Sequence, residues 1–176
     1  MIRSARLLPR AGLLLALLLP ASLPAAGLDV TLEIPRLNVA EYHRPYVAVW
    51  IERPDHSVAA NLAVWYDDDM KGDEGTKWLK DMRQWWRRSG RTLTMPVDGV
   101  SGATRPVGQH QLRFDSAKAP LKGLAPGKYE LIVEAAREVG GREVVRIPFQ
   151  WPAASAQQLK ASGDSELGEV RLSLKP

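Results

Sequence analysis

Leu28, Val30, Leu32 and Ile34 alternate with Asp29, Thr31 and Glu33. A period of two with one apolar face predicts a half-buried strand, ended by Pro35. Tyr46 to Ile51 is a continuous apolar run rich in aromatic and β-branched residues, as a central strand requires. Turn residues at Arg53–Ser57 separate it from a second run over Asn61–Tyr66, so the two predict a hairpin with Trp50 and Trp65 near each other in one sheet. From Lys77 to Arg88 the period changes. Trp78, Leu79, Met82, Trp85 and Trp86 fall at helical spacing and predict one amphipathic helix. Asp73 and Glu74 precede this helix, Arg87 and Arg88 fill its last turn, and Gly90 stands where a C-terminal cap belongs. Period two then returns. A short strand is expected over Arg91–Met95, and another over Val107–Phe114 with His110, Leu112 and Phe114 on one face. Tyr129, Leu131, Val133 and Ala135 mark the next. A turn at Gly140-Gly141 leads to a strand that buries Val145, Ile147, Phe149 and Trp151, and a last strand covers Leu167–Leu174. Ala153–Asp164, small and polar, reads as a loop.

Many short strands and one helix predict a mostly β chain, an antiparallel β-sandwich with one inserted amphipathic α-helix. The stretch Leu124-Ala-Pro-Gly-Lys-Tyr129 is similar to a turn common in immunoglobulin-like sandwiches, which makes the expected architecture immunoglobulin-like. The first 26 residues stand apart. Arg3, Arg6 and Arg10 precede the apolar run Ala11–Leu19, and small residues follow at Ala25-Ala26-Gly27. This is the pattern of a secretory signal peptide cleaved near 25–27, so residues 27–176 are expected to form a single exported, periplasmic domain that does not span the membrane.

Removing that segment alters the charge picture. Three of the 24 basic side chains lie within it and none of the 20 acidic ones, which leaves 21 against 20. A near-neutral chain lacks the sustained basic footprint of a nucleic-acid binder. The absence of cysteine excludes disulfides, thiolate metal sites, iron–sulfur clusters, c-type haem attachment and a lipidated N-terminal cysteine. His43, His56 and His110 lie in separate segments with no metalloprotease or serine-hydrolase motif around them, and no glycine-rich phosphate loop opens a helix. Asp67-Asp68-Asp69 with Asp73 and Glu74 forms an acidic loop without the alternating ligands of a calcium loop.

One stretch carries specific chemistry: Asp98-Gly99-Val100-Ser101-Gly102-Ala103-Thr104, bracketed by Pro96 and Pro106 and expected in a loop between two strands. A match to D-x-x-[ST]-G-A-[ST] arises by chance in a chain of this length on the order of once in a thousand. It resembles the acceptor motif of exported proteins that carry covalently bound FMN. The resemblance implies that Thr104 is the esterified residue and that Asp98, Ser101, Gly102 and Ala103 form the rest of the acceptor motif. FAD would be the FMN donor and AMP the leaving group, with a separate magnesium-dependent flavin transferase as catalyst. Small residues beside the hydroxyl keep the backbone slim. Gly99 departs from the motif, since many acceptors carry a larger apolar residue there.

The order Y-V-A-V-W-I-E, a tryptophan-bearing helix, D-G-V-S-G-A-T-R-P and P-G-K-Y-E-L-x-x-E-A-A-R-E further resembles an uncharacterised family of predicted periplasmic proteins, over nearly the whole exported chain. That family tends to accompany flavin transferases and membrane proteins linked to periplasmic electron transfer and iron handling. The expectation is therefore an electron carrier with a membrane-bound redox partner, a flavin on Thr104, and Trp85 or Trp86 (with Trp50 and Trp65 as further candidates) beside its ring. The rival reading is a cofactor-free binding module that uses the acidic loop 67–74 or the basic helix face. A hydrolase built from scattered acids finds almost no support in the sequence.

Overall fold

The computed structural model describes residues 26–176, so the expected signal peptide at 1–26 lies, but for Ala26, outside the described residues. Among the described residues nine strands form two sheets. The strands are β1 (Gly27–Ile34), β2 (Tyr46–Glu52), β3 (Val58–Tyr66), β4 (Ser101–Ala103), β5 (Gly108–Asp115), β6 (Gly127–Ala136), β7 (Arg142–Trp151), β8 (Gln157–Ser162) and β9 (Glu169–Lys175). One sheet has the order β5-β1-β9-β8 and the other β4-β3-β2-β6-β7. The alternating residues of β1 and β9 meet Val47, Val49 and Ile51 of β2 and Leu131, Val133 and Ala135 of β6 in one buried core between the sheets. Each such aliphatic side chain contributes roughly 1.5–3 kcal/mol when fully buried. The expected mostly β sandwich is the fold, with one departure from antiparallel order: β4 pairs with β3 in parallel.

The apolar runs of β2 and β6 do not alternate because both faces of the five-stranded sheet are covered. On the outer face Ala48, Trp50, Val64, Tyr66 and Ile132 form a second core with Leu79, Met82 and Trp85 of the helical insert. Trp50 and Trp65 therefore lie in one sheet but on opposite faces, Trp50 in the outer core and Trp65 in the inner one. The insert itself is not one helix. A 3₁₀ segment over Lys71–Asp81 stops at Met82, whose ψ of 71° is not helical, and a short helix α1 (Arg83–Arg88) starts after it. The break has a tertiary cause. Glu134, fully buried on β6, accepts hydrogen bonds from the free backbone N–H groups of Gln84 (3.0 Å) and Trp85 (2.7 Å) in the first turn of α1. This side-on cap turns the stripe so that Leu79, Met82 and Trp85 are fully buried and Trp78 is left 47% exposed. Gly90 is not a left-handed cap. It opens a 3₁₀ turn, and a Cβ there would sit 2.5 Å from the Trp85 ring, so close packing demands the glycine.

Two further expectations give way. Arg91–Met95 is not a strand: the 3₁₀ turn Gly90–Thr92 and extended backbone occupy it. Ala153–Asp164 is not all loop, because β8 pairs with β9 across it. The Leu124–Tyr129 stretch is the expected turn into a strand, β6, and the Tyr129 hydroxyl donates to the Ala125 carbonyl at 2.8 Å.

Glu143 on β7 ties down the loop before β9 by accepting from the backbone N–H groups of Asp164 (2.6 Å), Leu167 (2.8 Å) and Ser165 (3.1 Å). Burial pushes its carboxyl up, but these donors outweigh burial and hold it below the ordinary 4.5. A depressed folded value makes this stabilisation complete above the unfolded value and lost as pH falls through the folded one. Glu143→Gln is expected to lose on the order of 1–2 kcal/mol at pH 7. It should also flatten the acid limb of stability below about pH 4.5, read by urea unfolding across a pH series.

Candidate functional site

The Asp98–Thr104 stretch begins as a closed turn. The Val97 carbonyl accepts from the N–H groups of Val100 (3.2 Å) and Ser101 (2.9 Å), and the Ser101 hydroxyl accepts from the Val97 N–H (2.9 Å). Gly99 stands in this turn at φ +68°, in open space, which accounts for the glycine where a larger residue is common. Asp98 is exposed. Ser101–Ala103 then forms β4 at the sheet edge, so half of the expected loop is strand, with Ser101 beside Val64, Gly102 beside Trp65 and Ala103 beside Tyr66. Two flanking bonds extend the pairing, Val64 N–H to the Val100 carbonyl at 2.9 Å and Thr104 N–H to the Tyr66 carbonyl at 3.0 Å. Gly102 lies over Trp65, whose ring also meets His110 edge-on at 5.7 Å and the Arg105 guanidinium at 5.3 Å. Thr104 thus leaves the sheet edge with its backbone pinned.

Thr104 and Ala103 line a cleft of about 540 Å³, within the range of small-molecule sites. Three other parts of the chain complete it. The segment before β2 and its first residue supply Tyr42, His43, Arg44 and Tyr46. The acidic loop and 3₁₀ segment supply Asp67, Asp68, Asp69, Glu74, Trp78 and Asp81, and the end of β6 supplies Arg137 and Glu138. Tyr46 holds the two sides together, since its hydroxyl donates to the Gly75 carbonyl at 3.1 Å. Burial raises the phenols of Tyr42 and Tyr46 above the ordinary 10, so both stay neutral at pH 7. Arg137 is 6% exposed and paired with buried Glu166 through Nε (2.9 Å) and Nη2 (3.0 Å), while its Nη1 is buried without a hydrogen-bond partner. Its pKa is raised, first by that hydrogen bonding.

Flat aromatic walls (Tyr42, Trp78), a hydroxyl at the rim and one unspent buried donor suit a planar ring whose carbonyl oxygens need a partner. The cleft is a poor cradle for free phosphate, because six carboxylate side chains line it. A nucleotide would have to be held here by a bond rather than by charge. Among the described residues no cluster of three or more His, Asp or Glu side chains is arranged to hold a metal ion.

Trp85 and Trp86 are not among the residues that line the cleft with Thr104. Trp85 is fully buried with its indole N–H donating to Asn61 (2.9 Å), and Trp86 borders a separate small cavity with Leu79, Leu93 and Met95. The arginines of α1 line neither cavity. The exposed aromatics that line the cleft with Thr104, Tyr42 and Trp78, carry no signal of that role in the sequence beyond being rings in polar surroundings. His43 sits between Glu41 (2.7 Å) and Glu138 (3.6 Å), and His56 lies 3.4 Å from buried Glu52, so the three histidines do not converge.

A family model described as "Predicted periplasmic protein (DUF2271)" matches residues 27–169. No curated protein and no solved structure matches the chain. Among the described residues no helix is long and apolar enough to cross a membrane.

Proposed function

The chain belongs to that family of predicted periplasmic proteins, and from that premise we propose that it carries FMN esterified to Thr104 and serves as a periplasmic electron carrier. The observation that supports this most is the position of Thr104 on the rim of the cleft, with its backbone pinned by Tyr66 and with Tyr42 and Trp78 among the walls. The bond formed joins the Thr104 oxygen to the flavin-side phosphorus of FAD. The bond broken is the pyrophosphate link to AMP, and the hydroxyl proton passes to a base on the magnesium-dependent transferase. Bound there, the cofactor supplies two-electron redox chemistry that the chain's own side chains lack. Tyr42 and Trp78 would flank its ring, and Arg137 Nη1 would donate to a ring carbonyl. Electrons would pass from a membrane-bound reductase to a downstream acceptor such as ferric iron.

Co-expression with a flavin transferase should give a fluorescent band on a denaturing gel and an intact mass increased by one FMN less water. Thr104→Ala is expected to abolish both. An unlabelled wild-type mass would refute the proposal, and a labelled Thr104→Ala protein would refute the site.

A second reading draws on the six carboxylates of the same cleft: a cofactor-free module that binds a cationic ligand there. It predicts saturable stabilisation of flavin-free protein by such a ligand, seen as a rise in melting temperature.

A further inference from the structure

Asp67, Asp68, Asp69, Glu74, Asp81 and Glu138 all line the cleft that Thr104 borders. The opposing charge there is small. Arg44 is one cation, Arg137 is already paired with Glu166 at 2.9 Å, and of the six acids Glu74 is paired with Lys77 at 3.0 Å and Glu138 lies 3.6 Å from His43. The four arginines of residues 83–91 line no part of it, and Arg88 is paired instead with buried Glu52 at 3.4 Å. The cleft is therefore strongly negative on a molecule whose exported part is almost neutral. In such a molecule the uneven distribution of charge, rather than the net charge, orients an encounter.

A second observation marks the cleft as incomplete. The Arg137 side chain lines the cleft, is 6% exposed, and leaves its Nη1 buried with no hydrogen-bond partner in the chain. That single donor suits the carbonyl edge of a ring held inside. The six carboxylate residues that line the cleft are all exposed, so an approaching solute meets them from solvent.

Resting on the flavin reading above, we infer that the cleft selects a positively charged redox partner, a small cationic metal complex that accepts one electron and approaches by way of Asp67–Asp69. Anionic acceptors are repelled by the same residues. Each acceptor takes one electron, so two are reduced for every reduced flavin oxidised, with two protons released to water. The same negative field disfavours added negative charge on the ring, so the acidic mouth also lowers the reduction potential. The arginines of α1 line neither cavity and do not offset that field within the cleft.

Two measurements test this, one of which needs no flavin. The chain lacks cysteine, so Thr104→Cys can carry a single neutral maleimide fluorophore at the mouth. Caesium should quench it more efficiently than iodide after correction for their intrinsic efficiencies. The triple substitution Asp67→Asn, Asp68→Asn, Asp69→Asn should bring the two close to equal. Equal quenching before the substitution, or a preference for iodide, overturns the inference whether or not Thr104 is ever flavinylated. In protein shown by mass to carry FMN, stopped-flow oxidation by hexaammineruthenium(III) should slow at least about tenfold as salt rises from about 0.01 to 1 M. Oxidation by ferricyanide should accelerate over the same range. The triple variant should lose most of both trends and show a higher midpoint potential. Labelled protein with salt-independent rates for both acceptors sinks the partner assignment and leaves the flavin site standing. An unlabelled mass sinks the flavin site alone and leaves the quenching result to decide the charge of the cleft.

Discussion

Replacing Glu134 with alanine is expected to destabilise the fold by about 2–4 kcal/mol, since each helix-start amide left without its acceptor costs roughly 1–3 kcal/mol. Glu134 is 0% exposed and serves three donors at once: the N–H groups of Gln84 and Trp85, and Nη1 of Arg142 at 2.6 Å. Alanine leaves two helix-start amides in a buried setting without acceptors and leaves Arg142 without its partner. Helix α1, only six residues long, is far too short to persist on its own propensity. Its docking through Trp85 therefore depends on this cap. Glu134→Gln keeps the volume and one acceptor oxygen and should fall between wild type and alanine. Urea unfolding followed by tryptophan emission measures the loss. Hydrogen exchange of the Gln84 and Trp85 amides identifies its origin, since these should become among the fastest in the outer core. If Glu134→Ala costs no more than a typical surface change of about 0.5 kcal/mol, the break in the insert needs another explanation.

The same contact shows where sequence reasoning reaches its limit. The strands of the inner core were legible because their signal is local: the alternation through Leu28–Ile34 or Tyr129–Ala135 records one buried face in consecutive residues. The pattern Trp78–Trp86 likewise records that a helix is buried. It cannot record that the helix breaks at Met82, because the cause is a carboxylate about 50 residues downstream. β8 was illegible for the opposite reason. Gln157–Ser162 is an edge strand with mostly exposed, polar residues, and its pairing with β9 does not show in its own composition. β4 combines both difficulties, with three residues held by a parallel partner far back in the chain. At the site, the motif singled out Thr104, but Tyr42, Trp78 and Arg137 come from three distant segments. Only folding reveals that they share a cleft with it. A tryptophan pair at helical spacing was the obvious candidate for the ring walls. Its apolar character was instead the signature of the outer core.

Gly75 is where the shape of that cleft can be tested most directly. It is buried, its carbonyl accepts from the Tyr46 hydroxyl, and a Cβ would be driven into the Asp67 carbonyl while also lying 3.3 Å from the Tyr46 hydroxyl. Neither the backbone of Asp67 nor a tyrosine held by its own hydrogen bond can yield cheaply. Gly75→Ala is expected to cost about 3 kcal/mol, the upper part of the overpacking range. It should also push the 3₁₀ segment away from the end of β3, moving Trp78 and Asp67 relative to Thr104. Gly72→Ala supplies the contrast. Gly72 lies three residues earlier at φ +66° with nothing near its missing Cβ, so alanine there costs only the left-handed backbone strain, about 1–2 kcal/mol. The two variants differ by one methyl group on the same short segment, yet only the first should alter the cleft. With a fluorophore on Thr104→Cys as the reporter, Gly75→Ala should change the caesium-to-iodide quenching ratio and Gly72→Ala should leave it unchanged. Equal stability losses and equal quenching in the two variants would show that the Gly75–Asp67 contact does not set the distance across the cleft.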